Sequence, residues 1–224
     1  MKTLIKLDRF HNASLEINRV NNNHTIILVI PGDDYCKINE DEINNIKAIL
    51  SNLNYNSAIL RFTTTFISKD VLLNEVDSTI EYLSKKYDSI IMYGNKSGGH
   101  LAGIVGTQPQ YSNIKAMILH DPVVSFLDYQ NNKLINNFLK SEVSISKKEL
   151  FSVEKRIDKD SIPTLIISNK DCKDVNVNHT LILVKALQEN DIIHEYRILG
   201  KDEKKDTFSI IENMLIQFLK KLGL

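Results

Sequence analysis

Cysteine is scarce in this chain. Cys36 and Cys172 are the only two in 224 residues, too few and too far apart for a disulfide framework or a zinc site. Charge of one sign is missing as well. Lys plus Arg and Asp plus Glu both number 28, so no global field draws the chain to nucleic acid or to an acidic membrane surface. No apolar run approaches the length of a membrane span. The opening MKTLIKLDRFHNASLEI has neither the apolar core nor the small-residue cleavage site of a secretory signal, and a cytoplasmic protein is expected. Repeats, low-complexity tracts and linkers are also lacking, which leaves a single domain over residues 1–224. A chain of this length buries about 70% of its unfolded surface without help from a disulfide or a metal. Its 42% hydrophobic and 25% charged content is that of an ordinary globule.

What is present is alternation. TLIKL and SLEINRV read as two opening strands of a hairpin, and HTIILVI as a strand buried on both faces, because its aliphatic run is unbroken. DEINNIKAILSNL follows, with Ile43, Ile46, Ile49, Leu50 and Leu53 on one helical stripe. Strand SAILRF, helix VLLNEVDSTIEYLSKKY, strand SIIMYG, helix GHLAGIVGT and strand IKAMILH come next. Residues 122–161 are less regular, with helical fragments in KLINNFLK and KKELFSVEKRI, and are expected to form a small lid or crossover. The chain closes with strand PTLIISN, helix HTLILVKALQEN, strand IIHEYRIL and amphipathic helix TFSIIENMLIQFLKKL. Strand–helix alternation of this kind predicts an α/β fold: a mainly parallel central sheet of about eight strands with helices on both faces. Sites in such folds lie at the carboxyl ends of the strands.

One such end carries the most informative stretch, IIMYGNKSGGHLAG. In a G-x-S-x-G elbow, a strained turn from strand to helix lifts the central side chain above the sheet, and the flanking glycines let backbone pack on backbone. Gly94, Gly98 and Gly99 meet the steric demands here, and HLAG continues as a small-residue helix. At the apex, where a serine is needed, stands Lys96.

This stretch resembles the elbow of bacterial α/β-hydrolases of the acetyl-esterase, lipase and acetyl-xylan-esterase group, which typically reads Gly-x-Ser-Ala-Gly-Gly-His-Leu-Ala. The likeness runs through almost the whole chain. IILVIPGDDYCKI looks like that group's strand and Pro-Gly-Gly-Gly-Tyr oxyanion loop, and NYNSAILRF like its next strand. SIPTLIISNKDCKDVNVNHT looks like the strand and loop carrying the triad acid, and IIHEYRILGKDEKKDTF like the last strand and the histidine loop. The resemblance implies an α/β-hydrolase fold and a site built from these loops. Carried over by position, it places Lys96 at the nucleophile, Asp171 at the acid, and Glu203 near the histidine, since GKDEKKD contains none. In the oxyanion loop Gly32 and Tyr35 are kept, while Asp33 and Asp34 replace two glycines.

Fold does not carry function with it. Removing a triad serine or histidine alone costs on the order of 10⁶ in kcat. A carboxylate facing the developing oxyanion at about 4 Å would add roughly 4 kcal/mol of repulsion at an effective dielectric of about 20. Ser97 is the alternative nucleophile, although the residue after the apex opens the helix, where a serine ordinarily satisfies free N–H groups. His100 and His120 lie near the functional face with Tyr35 and the loop residues, as candidate ligand contacts. His120 and His179 are also candidate substitute bases. His11, His24 and His194 lie away from the site. Lys96 would be a nucleophile or Schiff-base former only if unpaired and desolvated, but the presumed pocket is rich in carboxylates. A pairing of its ammonium with Asp171 is expected instead. No ligand-spaced His/Cys/Asp constellation implies a metal, and no cofactor is implied.

Two readings follow. The leading one is an esterase-like scaffold without conventional Ser-His-Asp hydrolysis, retained to bind a small molecule or a protein. The other is an active hydrolase of small acyl esters or carbohydrate acetates, using Ser97 or an unconventional base. A homodimer is compatible with the sequence, though no interface stripe marks one.

Overall fold

A computed structural model describes residues 2–6, 13–65, 68–108, 110–128 and 132–224; His11 lies outside them. Eight strands form one sheet in the order β1-β2-β4-β3-β5-β6-β7-β8. They are β1 Lys2–Lys6, β2 Ser14–Asn18, β3 Thr25–Ile30, β4 Asn56–Arg61, β5 Ser89–Asn95, β6 Ile114–His120, β7 Thr164–Asn169 and β8 His194–Leu199. β1 and β2 form an antiparallel pair, and β2 pairs antiparallel with β4; every other pairing is parallel.

The helices are α1 Glu40–Asn52, α2 Lys69–Ser84, α3 Ser97–Gly106, α4 Asn132–Leu139, α5 Ile145–Leu150, α6 Asn178–Glu189 and α7 Thr207–Lys221. Alternation along each strand divides the core in two. Ile27 and Val29 of β3 pack with the stripe Ile43, Ile46, Ile49 and Leu50 of α1 and with Ile211, Leu215 and Phe218 of α7. Ile26, Leu28 and Ile30 face the opposite layer, with Leu72 and Val76 of α2, Leu101 of α3 and Leu183 of α6. Continuous aliphatic strands are what a sheet covered on both faces requires.

Helix starts follow from local hydrogen bonding. Asn39 accepts from the backbone N–H groups of Asp41 and Glu42, and three acids occupy the first turn of α1, where the helix dipole favours them. Ser68 and Ser144 cap α2 and α5 in the same way. α3 and α6 start without such a bond: the N-cap of α3 is Lys96 and that of α6 is Val177.

The strand order reverses about β3, whose neighbours are β4 and β5, and a crevice opens at the carboxyl ends beside such a reversal. Register brings the chemistry into line there, with Asn95 opposite His120 and Asn169 opposite Leu199. The irregular segment 122–161 packs on the far side of α3. Phe138 and Phe151 stack edge to face, and the two methyls of Val153 lie where a side chain on Gly103 would go. It reaches the loop after β3 through the Asn137 side chain, which donates to the Asp34 carbonyl at 3.0 Å, and through Phe138, whose ring centroid lies 5.0 Å from that of Tyr35. Among the described residues, no helix is long and apolar enough to cross a membrane.

Candidate functional site

The turn from β5 to α3 keeps an elbow backbone. Lys96 has φ 48° and ψ −113°, a left-handed conformation that costs a non-glycine residue about 1–3 kcal/mol and persists only where the surroundings enforce it. Enforcement comes from both sides. The Lys96 N–H donates to the His120 carbonyl at 3.0 Å, and the Lys96 carbonyl accepts from His100 and Val123. Below the turn the loop after β3 is pressed backbone against backbone. A Cβ on Gly98 would collide with the Ile30 carbonyl oxygen, and one on Gly32 with the Gly98 nitrogen.

The apex projects the Lys96 ammonium to the rim of a cavity of about 440 Å³ between α1, α7 and the strand ends. It does not pair with Asp171. Its Nζ lies 2.8 Å from Asp174 Oδ2 and 3.5 Å from Glu42 Oε1, with only 17% of the side chain exposed. Burial pulls the lysine pKa down, but the Asp174 hydrogen bond and the charges of Glu42, Asp174 and Asp33 outweigh it and hold the pKa above the ordinary lysine value. Such an ammonium stays charged and is a poor nucleophile. Glu42 also moves up, because its burial outweighs the attraction of Lys96 and because Asp33 and Asp121 repel it.

Ser97 is fully buried, and its Oγ accepts the Tyr35 N–H at 3.2 Å beneath the oxyanion-like loop. It is absent from the described lining of the cavity. The hydroxyl thus serves the loop after β3, where a helix-opening serine was expected to serve its own helix.

The loop residues divide. Asp33 closes a turn through its carbonyl, which accepts from Cys36 and Lys37. Asp34 and Tyr35 take φ 55° and 61°, so the chain makes a glycine-like turn without glycine at those places, which Asp tolerates better than most residues. Tyr35 points inward, away from the cavity, and its hydroxyl lies 2.8 Å from His100 Nδ1. His100 Nε2 lies 2.6 Å from the Phe151 carbonyl oxygen. A carbonyl only accepts, so Nε2 carries the proton and Nδ1 accepts from Tyr35. With Phe126 stacked on its ring, His100 is a core histidine, and burial lowers its pKa to about 4. His179 is held likewise. Its Nδ1 accepts from the N–H groups of Val124 and Ser125, and burial brings its pKa to about 4.

His120 does line the cavity. The Tyr93 hydroxyl stands 3.0 Å from its Nδ1, and Asp121 Oδ2 is 3.7 Å from its Nε2. Burial lowers its pKa. Asp121 itself is clamped by the Asn169 N–H at 2.7 Å and the Asn169 amide at 2.8 Å. Asp171 lines the cavity with one buried carboxylate oxygen that has no partner among the described residues. Glu203 turns back onto its own loop, accepting from Gly200 N–H at 2.9 Å and Arg197 Nη2 at 2.6 Å. Those bonds, the Gly200 one foremost, lower its pKa. No histidine occurs between β8 and α7.

The structure thus brings Lys96, His120 and Asp171 to one cavity and leaves Ser97, His100, Tyr35 and Glu203 outside it. It adds Glu42, Asn95 and Asp174, which the sequence reading did not select. The acids in the first turn of α1 were a signal for Glu42, and the second acid of DCKD for Asp174.

No family model matches the sequence, and no curated protein matches it. Solved structures do. An acetyl ester-xyloside bifunctional hydrolase from Caldicellulosiruptor lactoaceticus superposes with a TM-score of 0.86 at 18% identity, over 99% of this chain and 96% of that one. A carboxylesterase from Lactobacillus plantarum WCFS1 gives 0.83 at 16% identity, over 100% of this chain and 98% of that one. The chain has the α/β-hydrolase fold. A sugar hydrolase from Lactococcus lactis shares it at a TM-score of 0.83 and 18% identity, over 99% of this chain and 100% of that one. Within this α/β-hydrolase fold, Lys96 occupies the elbow apex, and the polar ends of β5, β6 and β7 surround it.

Proposed function

We propose that this α/β-hydrolase-fold chain is an esterase-like protein that binds a small molecule in the Lys96 cavity and does not carry out Ser-His-Asp ester hydrolysis. One observation carries the reading: the apex side chain is an ammonium held by Asp174 and Glu42. Two others support it. The neighbouring hydroxyl, Ser97, is spent on the Tyr35 N–H, and the loop after β8 has no imidazole. The cavity suits a binder, with a volume inside the range of small-molecule sites and mixed apolar and polar walls.

The alternative is hydrolysis of an acyl or carbohydrate acetate ester through Ser97. It requires that hydroxyl to leave Tyr35 and rotate out of a fully buried position. Incubation with an activated short-chain ester tests both readings. The parent, Ser97→Ala and Lys96→Ser proteins should all stay at background, the last because a serine at the apex still lacks a base. Turnover by the parent that disappears in Ser97→Ala overturns the proposal.

A further inference from the structure

Among the described residues, three buried acceptor oxygens have no partner and belong to side chains lining the same cavity: Glu42 Oε2, Asn95 Oδ1 and Asp171 Oδ2. Asn95 is only 6% exposed, so its carbonyl oxygen is as deep as the strand that carries it. Orphaned buried acceptors are costly, and three of them on side chains that line one cavity point to a ligand that brings donors. All three can only accept when the two acids are ionised.

Charge narrows the class. Among the described residues, the carboxylates of Glu42, Asp121, Asp171 and Asp174 line the cavity against one ammonium, that of Lys96. Lys96 is already engaged by two of them, so it does not offer an anion an open partner. The apolar part of the wall comes from Val29 of β3, Ile43 and Ile46 of α1, and Phe208 and Ile211 of α7. Phe208 of this wall is 52% exposed. No group of three or more His, Cys, Asp or Glu side chains among the described residues could hold a metal ion, so clustered acids alone do not make this a cation site for a metal.

We infer that the cavity binds a small organic cation, a primary ammonium on an apolar body, with the ammonium donating to Glu42, Asn95 and Asp171 and the body lying against Ile46, Ile211 and Phe208. The inference deepens the binding-protein reading and rests on it. An ammonium has three donors, matching three acceptors, and charge-assisted bonds are the stronger kind.

Calorimetric titration with hexylammonium, 1-hexanol and hexanoate, three probes of one length and different charge, tests it. Hexylammonium should bind at least about tenfold more tightly than hexanol, and hexanoate should not bind. Asp171→Asn and Glu42→Gln should each weaken hexylammonium about tenfold or more, with folding checked by circular dichroism. Glu189→Gln, an exposed acid on α6, should leave it unchanged. Equal binding of the alcohol, tighter binding of the carboxylate, no binding of the ammonium at millimolar concentration, or indifference to both acid substitutions overturns the inference. Serine-dependent ester turnover overturns the binding-protein reading by a separate measurement, so the two failures are distinguishable.

Discussion

Replacing Lys96 by methionine removes the apex ammonium and keeps a side chain of similar length with the same backbone strain at φ 48°. The attraction it removes is bounded by Coulomb's law. At an effective dielectric of about 20, a pair at 2.8 Å is worth about 6 kcal/mol and one at 3.5 Å about 5. Neither figure survives as stability. Asp174 is 56% exposed, so water screens that pair to about 1 kcal/mol. Glu42 is the more buried acid, at 31% exposed, and it loses its neighbouring cation, which contributes about 1 kcal/mol more. Lys96→Met should therefore destabilise by about 2 kcal/mol, lowering Tm by about 4–8 °C. Urea unfolding of the parent, Lys96→Met, Asp174→Asn and the double variant gives the Lys96–Asp174 coupling, expected at about 1 kcal/mol and shrinking with added salt. A coupling within about 0.3 kcal/mol of zero, or a more stable Lys96→Met protein, refutes the pairing.

Further outcomes follow from the same contacts. Gly32→Ala would drive a methyl onto the Gly98 nitrogen, with Asn95 O at 2.5 Å and Ser97 Oγ at 2.6 Å; loss of about 3 kcal/mol or more is expected in urea unfolding, and an unchanged midpoint contradicts the interlocked turn. Tyr35→Phe leaves His100 Nδ1 buried without its donor and should cost about 1–3 kcal/mol, read by thermal unfolding; a change too small to resolve contradicts the assigned tautomer. His100 and His179 both have pKa values lowered to about 4 by burial, below the ordinary value near 6.5. The unfolded chain then binds more protons between those values, so stability falls as pH drops through that window. Each imidazole should contribute a loss of about 2 kcal/mol between about pH 7 and pH 5; urea unfolding at the two pH values checks it, and equal stability contradicts neutral burial.

The architecture was legible because its signals are local and redundant. The unbroken aliphatic run of β3, the 3.6-residue stripe of α1 and the glycines about the elbow each name their element without reference to the rest. The start of α3 was less legible from pattern. The small-residue run marks the helix from Gly99, while only the geometry expected of an elbow puts its opening at Ser97, where it begins. Within the site, the apex lysine and the absent imidazole are plain from residue order. Its partner is not. Asp171 and Asp174 lie three residues apart on a loop without periodicity, and Glu42 reaches the site from the opposite side of the turn, so only the folded chain selects Asp174 and Glu42. His100 differs for a similar reason. Its place on the small-residue helix suggested the functional face, but Phe126 and Phe138 packed against the ring and the Phe151 carbonyl that binds it make it core.

The most direct test of the account is intact-mass analysis of the parent protein after prolonged incubation with a fluorophosphonate. The account predicts an unmodified mass, because the apex carries a paired ammonium and the adjacent hydroxyl is buried. A single stoichiometric adduct that maps to Ser97 would contradict it.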